Sequence, residues 1–134
     1  MAKTVAIIVT GDTLERVYSA MIFGMTAASM NMKTHIFFSF FGINAIKKNA
    51  DLKMGSDYKS YEKMLPQRFK EMNIPPVQEM IKQAKSMGAK IYACKTTMAA
   101  FGLKMSDFIE VVDKEVGAAE FLEITTNANT TMTF

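Results

Sequence analysis

Thr4-Val5-Ala6-Ile7-Ile8-Val9, closed by Thr10-Gly11-Asp12, sets the fold class of this chain. It is an uninterrupted apolar run rich in β-branched side chains, with no alternation of polar and apolar positions. Such a run reads as a strand buried on both faces of a parallel sheet. A parallel sheet needs a helical crossover, and the next segment supplies one. Asp12 or Thr13 is placed to cap a helix that carries Glu15 in its first turn and runs to about Met32. Val17, Met21, Ile22, Phe23, Met25, Ala28 and Met30 spread around this helix. One sheet face cannot cover all of them, so a second subunit is expected to cover the rest.

The same alternation continues along the chain. Thr34 to Phe41 reads as a second strand, Gly42 as the turn after it, and Ile43 to Lys48 as a short helix. Asn49 to Lys63 is polar and aperiodic around Gly55-Ser56-Asp57, and reads either as a mobile cover over the reactive site, with Tyr58 and Tyr61 as its contacts, or as a solvated surface insertion. Leu65-Pro66 starts a short helix through Met72. Pro76 starts another, with Val77, Met80, Ile81 and Ala84 on one face and Gly88 as the stop. Lys90 to Ala93 is a third strand and Thr96 to Phe101 a short helix ended by Gly102. Phe108 to Val112 reads as a fourth strand, Asp113 as the cap of a helix with Val116, Ala119 and Phe121 to Ile124 toward the core, and Thr130 to Phe134 as a last strand. Residues 1–134 are thus expected to form a single three-layer α/β/α domain with a mostly parallel sheet of about five strands.

The chain has 134 residues, 49% of them apolar and 22% charged, which excludes disorder and suffices for a core. A net charge of +3 comes from scattered lysines, with Lys47-Lys48 the only adjacent basic pair, so no nucleic-acid partner is expected. Val5–Val9 is too short for a secretory signal. The uncharged segment Val17–Met32, with Ser19, Thr26, Ser29 and Asn31 inside it, is too short for a membrane span. A soluble, cytoplasmic protein is the expectation. One cysteine and one histidine exclude an internal disulfide and a Cys/His zinc site, and no metal or cofactor is expected. The thirteen methionines fall at core spacings and read as packing.

The chemistry then rests on the single cysteine in Lys90-Ile91-Tyr92-Ala93-Cys94-Lys95-Thr96-Thr97, where a strand ends and a helix begins. Unpaired N–H groups of a first helical turn favour a thiolate, Lys95 adds a positive charge, and Thr96 or Thr97 can donate a hydrogen bond. In parallel sheets reactive groups collect beyond the C-terminal strand ends, so Gly11-Asp12, Phe41-Gly42 and Cys94 are expected to converge on one pocket. His35 begins the second strand, at the far end of the sheet from Cys94, and reads as structural. Gly11-Asp12-Thr13 has one glycine and a carboxylate, which suits a turn better than a phosphate site.

Val9-Thr10-Gly11-Asp12, Phe38-Ser39-Phe40-Phe41-Gly42-Ile43-Asn44 and Ile91-Tyr92-Ala93-Cys94-Lys95-Thr96-Thr97-Met98 together resemble the DsrE/DsrF/DsrH-like family of small sulfur-relay proteins. The likeness is closest to its methionine-rich branch, labelled peroxiredoxin-like. Phe41 stands where that branch commonly has tryptophan. The resemblance implies a homo-oligomer that carries sulfane sulfur as a persulfide on Cys94, taking it from a donor protein and passing it to an acceptor protein, as a possible sulfurtransferase. The alternative is a non-catalytic oligomeric binding or scaffold module with a buried structural cysteine. Peroxide reduction is disfavoured, because neither arginine, Arg16 or Arg68, is near Cys94 in sequence.

Overall fold

The computed structural model describes residues 2–134. Five strands, β1 (Thr4–Val9), β2 (Lys33–Phe38), β3 (Lys90–Cys94), β4 (Lys114–Val116) and β5 (Thr130–Thr133), lie in the order β4-β3-β2-β1-β5. Every strand pair is parallel. The helices are α1 (Leu14–Ser29), α2 (Met64–Glu71), α3 (Val77–Ser86), α4 (Lys95–Phe101) and α5 (Ala118–Thr126).

Strand register sets which residues share a face. Ile7 stands opposite Ile36, and Ile36 opposite Ile91; Phe37 stands opposite Tyr92, and Cys94 opposite Val116. The first face, with Val5, Ile7, Val9, Ile36, Phe38, Ile91 and Ala93, is closed by α1 and α3 through Val17, Met21, Met80 and Ile81. The second face, with Ala6, Phe37, Tyr92, Cys94 and Val116, lies under Phe121 of α5, whose ring stacks on Phe37 at 4.5 Å. This is the expected α/β arrangement, and it has a handedness reason. The chain steps from β1 to β4 in one direction with α1 and α3 on one face. It then returns past β1 to β5, so α5 must cross the other face to keep the crossover right-handed.

The largest departure from the sequence reading is the fourth strand. Phe108 and Val112 are buried, yet this run is not in the sheet. Phe108 bridges Lys47, and the Ile109 N–H donates to the Ile46 carbonyl at 2.9 Å, so the run packs on a 3-10 helix, Phe40–Ile46. Asp113 does not cap a helix. Its carboxylate accepts the Ile91 N–H at 2.7 Å and pairs with Lys85, and β4 starts only after it. The following helix begins at Ala118, with Gly117 at its cap. The second strand likewise stops at Phe38, because the chain turns into that 3-10 helix.

α1 is shorter than expected, and neither Asp12 nor Thr13 caps it through a side chain. The 49–63 segment takes that role. The Lys53 carbonyl accepts the Leu14 N–H at 2.7 Å, and the Glu15 carboxylate accepts the Gly55 N–H at 2.9 Å. Ser56–Tyr61 forms a 3-10 helix, with Tyr58 and Tyr61 about half exposed. These hydrogen bonds tie the segment to the start of α1, beyond β1, and not to Cys94 two strands away. The N–H groups of the first turn of α1 need acceptors, and this loop supplies one from its backbone.

Gly42 is fixed by a close approach. A Cβ there would lie 2.0 Å from the Val9 carbonyl oxygen, a clash with backbone that no rotamer relieves. At Gly117 a Cβ would meet nothing within 4 Å. Gly42→Ala is therefore expected to destabilise the fold by about 3 kcal/mol or more, against a change within about 1 kcal/mol for Gly117→Ala. Denaturant unfolding of the two variants beside the parent protein checks this.

Candidate functional site

Cys94 ends β3 on the second face, with Phe37, Tyr92, Val116 and Phe121 as its neighbours, and is 7% exposed. The chain leaves β3 toward the first face, where Met98 of α4 joins the core. It leaves the adjacent β4 toward the second, where Phe121 packs. Cys94 ends β3 between these two diverging connections, the kind of position at which parallel sheets place reactive groups.

Four polar groups favour the anion of Cys94. Burial pushes the thiol up, but hydrogen bonds from the Thr97 hydroxyl and N–H, the Ser39 hydroxyl and the Thr96 N–H outweigh it and hold Cys94 below the ordinary thiol value. Thr97 is itself buried, and its Oγ1 accepts the Phe40 N–H at 2.8 Å. A hydroxyl that accepts in this way still has its one proton to give, and a Cys94 thiolate is the acceptor it favours. Phe40 adopts a left-handed backbone with φ of 50°, a conformation that costs a non-glycine residue about 1–3 kcal/mol.

Beyond this cradle stand three exposed rings. Phe40 and Phe41 lie 5.8 Å apart, and Phe101 at the end of α4 lies 6.5 Å from Phe40 and 6.0 Å from Phe41. Phe101 is one helical turn beyond Thr97 on the same face of α4.

The predicted residues therefore divide into two groups. Cys94, Thr96, Thr97 and Phe41 come together. Lys95 adjoins them but extends to solvent, 4.0 Å from Glu115, with its side chain 67% exposed. Gly42 supports the group from behind through its contact with Val9. Gly11 and Asp12 belong elsewhere: the Asp12 carboxylate accepts from Asn44 at 2.9 Å, and the open cavity of about 520 Å³ beside it is lined by Thr13, Asn44, Lys47 and the 48–56 loop. β2 lies between β1 and β3, so the three strand ends do not share one pocket. Ser39, Phe40 and Phe101 were not singled out from the sequence. The hydroxyl between the aromatic residues of Phe38-Ser39-Phe40-Phe41 was the available signal for Ser39. His35 makes its bond with Tyr92 (Nδ1 to Oη 2.8 Å) and stacks on that ring at 5.8 Å. Burial, then Lys90 and Lys33, hold its imidazole below the ordinary value, while burial, Asp113 and Glu120 push Tyr92 up to about 12. Among the described residues, no group of three His, Cys, Asp or Glu side chains is placed to hold a metal ion.

With this geometry in view, comparison with known proteins is informative. A family model described as DsrE/DsrF-like matches residues 3–134. The chain belongs to the DsrE/DsrF-like family. Among its relatives, the sulfur carrier protein DsrE2 of Allochromatium vinosum is 26% identical, with 90% of this chain and 91% of that protein covered. The uncharacterized protein YrkE of Bacillus subtilis is 25% identical, with 90% and 89% covered. In fold the chain is similar to the ychN protein of E. coli, with a TM-score of 0.73 at 15% identity over 98% and 99% of the two chains. It is also similar to MTH1491 of Methanobacterium thermoautotrophicum, with a TM-score of 0.67 at 14% identity over 97% and 98%. Membership of this family and the sulfur-carrier relative support a sulfur-relay role. No helix among the described residues is long and apolar enough to cross a membrane.

The donor cradle sets a testable order. The pH profile of Cys94 alkylation should inflect below about 8.5, the ordinary thiol value. Thr97→Val should move the inflection upward, and Ser39→Ala should move it upward by less. Lys95→Gln should move it least, because its ammonium is in solvent. Initial alkylation rates of the four proteins across the pH range check the order.

Proposed function

We propose that the protein carries sulfane sulfur as a persulfide on Cys94, receiving it from one protein and passing it to another. The observation that carries this reading is the place of the chain's one thiol, at the end of β3 where the first turn of α4 begins, in surroundings that hold it below the ordinary thiol value. In loading, the Cys94 thiolate attacks the outer sulfur of a donor persulfide; a new S–S bond forms, and the donor's thiolate leaves with the electron pair of the broken bond. In unloading, the acceptor's thiolate attacks the outer sulfur, and Cys94 leaves as the thiolate. Neither step has net oxidation, and neither needs a second cysteine in this chain or a cofactor. Donors that stabilise the Cys94 anion populate the nucleophile in the first step and improve the leaving group in the second. The sulfur-carrier relative supports the same role.

The burial of Cys94 favours the other reading, a binding module in which the cysteine is structural. Mass spectrometry after exposure to polysulfide separates the two. The parent protein should gain the mass of one sulfur atom, reversibly with thiol, and Cys94→Ser should gain none. An unmodified parent protein supports the structural cysteine.

The working form is a homo-oligomer. Ile22 and Phe23 are each nearly half exposed on α1 and Met30 more so, with Ser19 and Thr26 beside them, an uncharged stripe along one side of the helix. Apolar surface of this kind is normally covered, and a second copy covers it here. Light scattering should give more than the single-chain mass of 15.0 kDa, and Ile22→Glu with Phe23→Glu should return it to that value.

A further inference from the structure

We infer that the rings of Phe40, Phe41 and Phe101 are the docking ledge for the sulfur acceptor, and that they select a protein segment whose cysteine is flanked by apolar side chains, with a carboxylate nearby. The inference rests on the sulfur-carrier reading of Cys94 and names the partner of that same site. Phe40 is 60% exposed, Phe41 54% and Phe101 41%, yet each lies within 6.5 Å of another of the three. Exposed phenyl rings normally find cover, and the aromatic partners of these three are one another. They are also linked to the cysteine: Thr97, in the first turn of the helix that Cys94 precedes, accepts the Phe40 N–H and lies one helical turn before Phe101. A chain lying on the rings is therefore beside Thr97 and the turn in which β3 ends at Cys94.

Size decides between a transient partner and a second copy of this chain. The exposed ring surface is roughly 300 Å², taking about 200 Å² for a full aromatic side chain. A stable interface needs about 800 Å² on each partner, whereas brief encounters make do with less. A sulfur acceptor must leave once loaded, so a small apolar ledge suits it. Charge gives the second preference. Lys95 stands next to Cys94 and is two-thirds exposed, with its carboxylate contact, Glu115, at 4.0 Å. An incoming carboxylate can compete for that ammonium.

The test does not depend on a persulfide. Cys94 is converted to its mixed disulfide with thionitrobenzoate. An attacking thiolate then forms a bond to the Cys94 sulfur, the old S–S bond breaks, and the coloured thionitrobenzoate leaves with the electron pair. Two synthetic peptides are compared, each with one cysteine and one glutamate, one flanked by leucines and the other by serines. The leucine peptide should react about tenfold or more faster than the serine peptide with the parent protein. That ratio should fall close to one in Phe41→Ser/Phe101→Ser and stay largely intact in Phe41→Leu/Phe101→Leu, which keeps the ledge apolar. A ratio near one in the parent protein overturns the inference, as does a ratio that the serine substitutions leave unchanged. A loss of assembly mass in the Phe41→Ser/Phe101→Ser protein also overturns it, because the rings would then be a contact between subunits. Failure of polysulfide to load Cys94 would count against the sulfur-carrier reading and would leave these ratios still measurable.

Discussion

The hydrogen bond from the Phe40 amide to the Thr97 hydroxyl joins two parts of the chain that leave the sheet separately, the turn after β2 and the helix after β3. A hydroxyl has a single proton, so accepting one hydrogen bond restricts where that proton can go. A Cys94 thiolate is the acceptor it favours here, and Ser39, the residue before Phe40, adds a second hydroxyl that favours the anion. Phe40 reaches Thr97 with a left-handed backbone, whose cost the surrounding structure must sustain. Gly42, two residues on, makes the turn feasible by letting it lie directly on the Val9 carbonyl. The strained residue, the close glycine and the buried threonine thus serve one arrangement.

A thiol buried to this degree would ordinarily resist ionisation, since moving a charge out of water is unfavourable. The cradle reverses the sign by supplying donors fixed in place before any charge appears. Two of them are N–H groups of the first turn of α4, which have no intrahelical partner. The sheet contributes by placement. α4 and α5 leave adjacent strands toward opposite faces, and Cys94 lies where they part.

Much of this could be read in the sequence, and the parts that could not have a common cause. β1 and β3 are apolar runs buried on both faces, and their local composition suffices to place them, and with them Cys94 at a strand end. The short edge strand β4 has little composition of its own. The more apolar Phe108–Val112 run took its place in the reading, although it packs on a 3-10 helix instead. Ser39 acts on a residue more than fifty positions away, and no local pattern reports such a contact. Gly11-Asp12 looked like a partner of Cys94 because both follow strands; strand order, which the sequence does not print, inserts β2 between them.

The central claim is that the cradle stabilises Cys94 as an anion so that sulfur can be both accepted and released. It is tested most directly by the single-turnover rate at which loaded Cys94 gives its sulfur to a small thiol at fixed pH, in the parent protein and in Thr97→Val loaded to the same extent. Loss of the Thr97 donor makes Cys94 a poorer leaving group, so the account predicts slower release from the variant. Release at an equal or greater rate would contradict it.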